Sequence, residues 1–173
     1  HPLTRETLLS LQNTHQLDAN LLLFCCWHAH TRGRLAADII QQALAFSHPW
    51  ANQVVRPLRA ARSWMKHHGP APYGSGTGTG DMTSRHQQLR ERIKALELQA
   101  EHLQEDMLES LLPACGQSPA MQERSLEDQL MDAMHNHQAL LEASDIPLNG
   151  DMNELLAALI TATLLPAALE ESR

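Results

Sequence analysis

Hydrophobic residues recur along this chain at intervals of three and four positions, the spacing that lines one face of an α-helix. The first run predicts an amphipathic helix over residues 3–12. The next predicts a helix that begins after Asp18, with Asp18 and Asn20 expected to cap the free amides, and that ends at Gly33. A third helix is expected over residues 34–46, with its end before Pro49.

The predicted fourth helix, residues 50–66, contains a proline within its apolar stripe. Pro57 removes one backbone hydrogen bond, so we expect it to kink this helix or divide it in two. Residues 69–82 combine Gly, Pro, Ser and Thr without an apolar period, which predicts a flexible linker. The linker divides the chain into a helical half, residues 1–68, and a second helical half, residues 83–173, that is expected to pack on the first.

The second predicted half opens with a pattern of coiled-coil type. Between Thr83 and Leu112, apolar residues alternate spacings of four and three and form a continuous seam. The residues of this seam are Leu89, Ile93, Leu96, Ala100, Leu103 and Met107.

Two capping-box patterns predict the last helices. Ser125 with Asp128 opens a predicted helix over residues 126–143, and Asp151 with Glu154 opens the final one. The predicted fold class is therefore all-α, a bundle of about six to seven helices.

Composition and charge support this class. Leu, Ala, Gln and Glu dominate over Val, Ile, Thr and Tyr, and aromatic residues make up only 3%. Residues 1–70 contain seven basic and three acidic residues, a charge of +4, whereas residues 71–173 contain six basic and 17 acidic residues, a charge of -11. We expect the two parts to attract one another, because the basic density of the first is too low to indicate a nucleic-acid-binding protein.

Compartment follows from apolar length and cysteine usage. The longest apolar stretch, NLLLFCCW, is far shorter than the roughly 20 residues of a membrane-spanning helix. The sequence shows no secretory leader pattern, and three cysteines, two of them adjacent, do not form the framework of a secreted disulfide protein. We expect a cytoplasmic protein with reduced thiols and no membrane partner.

Cys25, Cys26, His28 and His30 lie in the apolar run LLLFCCWHAH. Pairs three and four apart reach a common point on a helix, but a structural zinc site needs four ligands and no second matching pair is nearby. Free cysteine is also among the residues most often buried. We therefore interpret this run as the buried face of a helix and predict no metal site. The residues expected in the core are Leu22, Leu23, Cys26 and Trp27.

Other candidate chemistry is sparse. The pairs His67 with His68 and His135 with His137 are expected on the surface. No serine lies in a Gly-x-Ser-x-Gly elbow, and GSGTGTG has neither a preceding strand nor a P-loop lysine. No catalytic residue, cofactor or small-molecule substrate is predicted, and an enzyme or metal-binding protein is the lesser alternative.

Four basic residues follow one side of the predicted fourth helix, at spacings of three, three and four. They are Arg56, Arg59, Arg62 and Lys66. A salt-bridged contact with the acidic half is the favoured interpretation, and a surface for RNA or another polyanion is the alternative. Arg59 is expected to be a structural ion-pair residue near the second helix, where Asp18 and Asn20 offer oxygen acceptors.

The segments LQNTHQLDANLLLFCCW and WANQVVRPLRAARSWMK resemble a proteobacterial family of small uncharacterised proteins, a domain of unknown function. The resemblance covers residues 8–66 well and KALELQAEHLQEDMLESL more weakly. Its motif positions are Leu11, Gln12, Asp18, Asn20 to Phe24, Trp27, Trp50, Val54, Val55, Pro57, Leu58, Arg59, Arg62 and Lys66. The resemblance implies no established activity, and the motif residues look structural. Gln16 departs from the family pattern, in which Gly is common before the Asp.

The favoured function is a non-enzymatic helical module that binds another protein or itself through the seam of residues 89–107. The competing interpretation is that this seam is intramolecular core. An RNA- or polyanion-associated protein that uses the basic helix 50–66 is the alternative function. The residues expected to bind a partner or to form the structural motif are Asp18, Asn20, Trp27, Trp50, Arg56, Pro57, Arg59, Arg62 and Lys66.

Overall fold

A computed structural model describes residues 2–69, 79–112 and 124–171. Within these residues every regular element is helical and none is a strand, which confirms the predicted all-α class. The elements are α1 (Pro2–His15), α2 (Ala19–Thr31), α3 (Ala37–Trp50), a π-helical turn (Ala51–Val55), α4 (Arg56–His67), α5 (Thr79–Ser110), α6 (Leu126–Ala143) and α7 (Gly150–Glu171).

The helices form two compact units. The first unit combines His1–Ser47 with Leu108–Arg173, and the second comprises His48–Met107. Residues 70–78 of the predicted linker lie outside the described residues, and α5 begins at Thr79, earlier than the predicted Thr83. The division into halves at residues 69–82 stays a prediction.

In the first unit, α1 packs against α7, α2 packs against α6, and α6 also contacts α7. The Cys25 and Cys26 side chains are 1% and 0% exposed, so the interpretation of LLLFCCWHAH as a buried helix face is confirmed. Leu22 is buried as predicted, but Leu23 and Trp27 are only half-buried. The largest fully buried apolar side chains of this core are Leu11, Leu22, Leu108, Leu141, Leu156, Leu159 and Leu164.

Side-chain caps begin two of the helices as predicted. The Asp18 carboxylate accepts from the Asn20 amide at 2.9 Å before α2, so Asn20, also expected as a cap, lies inside the first turn and receives the cap through its backbone. The Ser125 hydroxyl accepts from the Asp128 amide at 3.1 Å before α6. Each cap satisfies one of the amides that have no partner within the helix.

The predicted cap of the last helix, Asp151, is wrong. The residue that precedes α7 is Asn149, whose side-chain oxygen accepts from the Met152 amide at 2.8 Å. Asp151 lies inside the first turn, where its backbone is already helical. Its charge there complements the positive end of the helix dipole.

The helix predicted to stop before Pro49 instead continues through it, so this boundary is wrong. The missing amide of Pro49 costs the helix one backbone hydrogen bond but does not end it. The helix is interrupted before Pro57 and not at it: a π-helical turn over Ala51–Val55 separates α3 from α4, and the Arg56 amide donates to the Ala51 carbonyl, five residues earlier. This wider turn leaves Pro57 in the first turn of α4, where its missing amide has no partner to lose.

The turn between α1 and α2 places Gln16 in a backbone conformation that suits glycine better than glutamine. Gln16 has a φ of 57°, in the left-handed region that glycine adopts without steric cost. The Leu17 amide then donates back to the Leu11 carbonyl at 3.3 Å, which closes the turn.

Gln16→Gly is expected to raise the free energy of unfolding by about 0.5–1 kcal/mol, because relief of the left-handed strain exceeds the added entropy of the unfolded chain. Urea unfolding followed by circular dichroism measures the change. The control is Glu6→Gly, which places glycine at an exposed position within α1 and should lower stability by a similar amount. A loss of stability in both variants would contradict a strained Gln16.

Candidate functional site

Two of the four basic residues on α4, Arg59 and Arg62, bind carboxylates on α5, within the second unit. Arg59 Nε lies 2.9 Å from Glu97 Oε1, and Arg59 Nη2 lies 2.5 Å from Glu101 Oε1. Arg62 Nε lies 2.5 Å from Glu97 Oε2. The Glu97 side chain is only 8% exposed, so both of its oxygens are occupied in a largely dry position.

Helical spacing produces this arrangement. Arg59 and Arg62 are three residues apart on α4, and Glu97 and Glu101 are four apart on α5, so each pair lies on one side of its helix. The planar guanidinium of Arg59 spans two carboxylates because its donors form a rigid fork.

The expectation that Arg59 forms a structural ion pair is confirmed, but its predicted partners are wrong. Arg59 binds Glu97 and Glu101, whereas the Asp18 carboxylate caps α2 and receives the Asn20 amide. The basic residues of α4 were expected to pair with acidic residues from the later part of the chain. Arg59 and Arg62 do so. Sequence separation of 35 to 42 residues gives no local signal for these partners.

Electrostatics at Glu97 favour the charged form. Burial raises the pKa of Glu97, but hydrogen bonds from Arg62 and Arg59, together with their charges, outweigh burial and hold that pKa below its ordinary value. The hydrogen bond from Arg62 to Glu97 raises the pKa of Arg62 in turn. Glu97 and Arg62 therefore both favour their charged forms.

The other motif residues of this unit have different environments. Trp50 Nε1 donates to the Ala100 carbonyl on α5 at 3.0 Å, and this contact helps to hold α5. Arg56 donates to Asn52 at 2.6 Å within its own segment and is exposed, as is Lys66. Trp64 is 60% exposed, and the His68 ring stacks on it at 4.6 Å.

The seam predicted along α5 is largely exposed. Of its six residues, Ala100 is buried and Ile93 is half-buried. Instead, α5 buries a neighbouring face that contains Glu97 and Gln104. The exposed members of the seam, together with Met82, form a row that we call the α5 stripe: Met82 (55% exposed), Leu89 (52%), Leu96 (51%), Leu103 (46%) and Met107 (40%).

In the first unit, the prediction that His137 lies on the surface is wrong. His137 is 0% exposed, with Nδ1 2.7 Å from the Ala133 carbonyl and Nε2 3.1 Å from the Leu22 carbonyl. Burial lowers the pKa of His137, so the ring is neutral. His135, two residues earlier on α6, is exposed as predicted. The pattern of α6 gave no signal for His137, because a histidine buried against backbone carbonyls looks like a surface residue in sequence.

The cysteines beside His137 are poor nucleophiles. Cys26 Sγ lies 4.0 Å from His137 Nε2, and burial raises the pKa of Cys26 to about 12. Burial, and then the neighbouring Cys26, raise the pKa of Cys25 well above its ordinary value. Since a thiolate is the reactive form, neither side chain is positioned for covalent chemistry.

The nearby histidines of the same run make local contacts. His28 Nδ1 lies 3.0 Å from the Gly33 carbonyl, and His30 Nδ1 lies 2.9 Å from Gln129 Oε1. Across residues 2–69, 79–112 and 124–171, no group of three or more His, Cys, Asp and Glu side chains has the geometry of a metal site.

Fold and site together define an all-α protein whose motif residues cap, kink and pair its helices. The chain belongs to the family DUF2390, described as proteins of unknown function, whose model matches residues 1–108. The resemblance inferred from the sequence motifs is thus confirmed at the level of the family. Neither the comparison with curated proteins nor the comparison with solved structures gives a match.

The matched range extends from α1 almost to the end of α5, so α6 and α7 lie beyond it. Among the helices that the structure describes, none combines the length and apolar character needed to cross a bilayer.

Glu97→Gln is expected to lower the free energy of unfolding at neutral pH by about 1.5–3 kcal/mol, the typical value of hydrogen bonds to charged groups. Because folding lowers the pKa of Glu97, its contribution is present above the pKa of the unfolded chain and is lost as pH falls through the lower folded value. The difference between variant and wild type should therefore shrink in acid. Chemical unfolding at a series of pH values measures it, with Glu105→Gln at an exposed position of α5 as the control. A constant difference at every pH would contradict the ionised cluster.

Native Cys25 and Cys26 are expected to react with a thiol reagent far more slowly than in the unfolded chain, because both are buried and protonated. Peptide mapping separates them from Cys115. His137→Ala should accelerate labelling of Cys26 by opening a cavity beside it, and His135→Ala on the exposed side of α6 should not. Equal acceleration by both variants would count against the described packing.

Proposed function

We propose that this protein is a non-enzymatic helical module that binds another protein, or a second copy of itself, through the α5 stripe. The observation that carries the proposal is the exposure of large apolar side chains at regular seven-residue intervals, from Met82 through Leu89 and Leu96 to Leu103. Such a repeat is typical of a helix that packs against another helix.

The stripe is unusual for a surface. Single exposed leucines are common and need no explanation, whereas a continuous apolar row marks a contact surface. From Met82 to Met107 the row extends over about 38 Å of helix, as the helical rise requires. That length suits a partner helix that inserts several anchors in succession.

The ion pairs on the neighbouring face support the same function. Arg59 and Arg62 hold Glu97, and Trp50 holds the Ala100 carbonyl, so α5 is fixed before any partner arrives. A binding helix that is already ordered loses less conformational entropy on association.

The alternative, binding of RNA or another polyanion, has less support. Two of the four basic residues on α4, Arg59 and Arg62, already bind carboxylates. A phosphate would have to displace Glu97 and Glu101 from them. Arg56 and Lys66 alone provide a low density of positive charge. A cytoplasmic location, expected from cysteine usage, remains part of the proposal.

The test compares two leucines of nearly equal exposure on opposite sides of α5. Leu96 (51% exposed) belongs to the stripe and Leu98 (52%) does not. Leu96→Lys is expected to reduce the capture of specific partners at least tenfold in quantitative cross-linking and co-purification from the cells of origin. Leu98→Lys should leave capture unchanged. Equal capture by wild type and Leu96→Lys would reject the stripe as the binding surface.

A further inference from the structure

We propose that the partner of the α5 stripe is a second copy of this chain, with the two α5 helices antiparallel. This inference rests on the proposed function, because it names the occupant of the same surface. The distribution of charge along α5 supports the antiparallel pairing.

Charge on α5 changes sign halfway along the helix. The basic residues of its first part are Arg85, Arg90, Arg92 and Lys94, accompanied by the acidic Asp81 and Glu91. The charged residues of its second part are all acidic: Glu97 and Glu101 bind Arg59 and Arg62, and Glu105, Asp106 and Glu109 follow. Two parallel copies would set like charge beside like charge, whereas two antiparallel copies set basic beside acidic.

The residues next to the stripe show the same complementarity in detail. Arg85, Arg92, Gln99 and Asp106 follow one another at intervals of seven along one flank of it. In an antiparallel pair, Arg85 faces Asp106 of the second copy, and Arg92 faces Gln99. No like charges meet along this flank.

The ends and the middle of the apolar row match under the same two-fold symmetry. Its midpoint lies between Ile93 and Leu96, so Ile93 faces Leu96 of the second copy and Met82 faces Met107, while Leu89 and Leu103 fall opposite Ala100 and His86. The paired region of 26 residues amounts to nearly four heptads, a length typical of coiled coils.

A helix from another protein is the competing occupant. A parallel partner helix would need an acidic first part and a basic second part to complement α5. An antiparallel partner helix would need a basic first part and an acidic second part, which is the order that α5 itself has. Self-complementarity of charge, together with the matching ends and middle of the apolar row, therefore favours a second copy over an unrelated helix.

Sedimentation equilibrium of the full chain tests association. Wild type and Leu98→Lys are expected to form a dimer, and Leu96→Lys should raise the dissociation constant at least 100-fold, because the substituted residue occurs twice beside the symmetry axis. Circular dichroism checks that both exposed-site variants keep the helical content of wild type. A wild type that stays monomeric at all concentrations, or a Leu98→Lys variant that dissociates equally, would overturn the proposal.

Disulfide cross-linking tests orientation. A mixture of Arg85→Cys and Asp106→Cys proteins should form a mixed disulfide dimer above the wild-type background, and Arg85→Cys alone should not. Native Cys25 and Cys26 are buried, so they contribute little to that background. Efficient cross-linking of Arg85→Cys with itself would indicate parallel helices and overturn the antiparallel arrangement.

The outcomes separate the two proposals. A monomeric protein whose capture of a different partner is lost in Leu96→Lys would overturn self-association and leave the proposed function standing. A dimer that is insensitive to Leu96→Lys, with partner capture equally insensitive, would overturn both.

Discussion

The carboxylate of Glu97 accepts hydrogen bonds from Arg59 and Arg62, and the arrangement of the second unit depends on this contact. No described side chain of α4 is fully buried, although Leu58 and Met65 are half-buried. The charged hydrogen bonds therefore contribute strongly to which side of α5 faces α4, because they hold Glu97 and Glu101 beside the arginines. Once the Glu97 and Glu101 side of α5 is turned toward α4, the direction in which every other side of the helix points is also determined. The leucines of the α5 stripe are left outside as a consequence.

The first unit depends on burial instead, with one buried polar residue that fixes the turn after α2. Asn136 of α6 is 0% exposed; its side-chain nitrogen donates to the Gly33 carbonyl at 3.1 Å, and its oxygen accepts from the Leu35 amide at 2.8 Å. Gly33 has a φ of 95°, which a residue with a side chain rarely adopts. Thus α6, which lies beyond the matched family range, satisfies backbone groups of a turn inside that range. In this chain the segment after residue 108 is an integral part of the core.

Local sequence patterns predicted what local physics decides. The caps at Asp18 and Ser125 follow from residues within one helical turn of each other, and the apolar run around Cys25 and Cys26 predicted that both are buried. The seam of α5 shows the limit of this reasoning. The apolar residues of the seam do lie along one side of α5. Their spacing alone does not indicate whether that side packs within the chain or stays exposed.

Tertiary contacts account for the errors. His137 was placed on the surface because its environment comes from α2, more than 110 residues earlier in the chain. The partners of Arg59 were misassigned for the same reason, since any of several carboxylates fits a guanidinium and only the fold selects among them. Helix continuity through Pro49 likewise departs from local propensity, which places a helix end at proline.

The uneven charge of the sequence finds its physical meaning in these contacts. Arg34 binds Asp132 at 2.8 Å in the first unit, as Arg59 and Arg62 bind Glu97 in the second, so basic residues from the early part of the chain neutralise acidic residues from the later part. Partly buried pairs of this kind are screened by salt less than exposed ones. The carboxylates of Glu97 and Asp132 are largely buried in these contacts, and along the exposed side of α5 lies an apolar row whose flanking charge changes from basic to acidic along the helix. That combination favours a helix over a polyanion as the molecule that this surface binds.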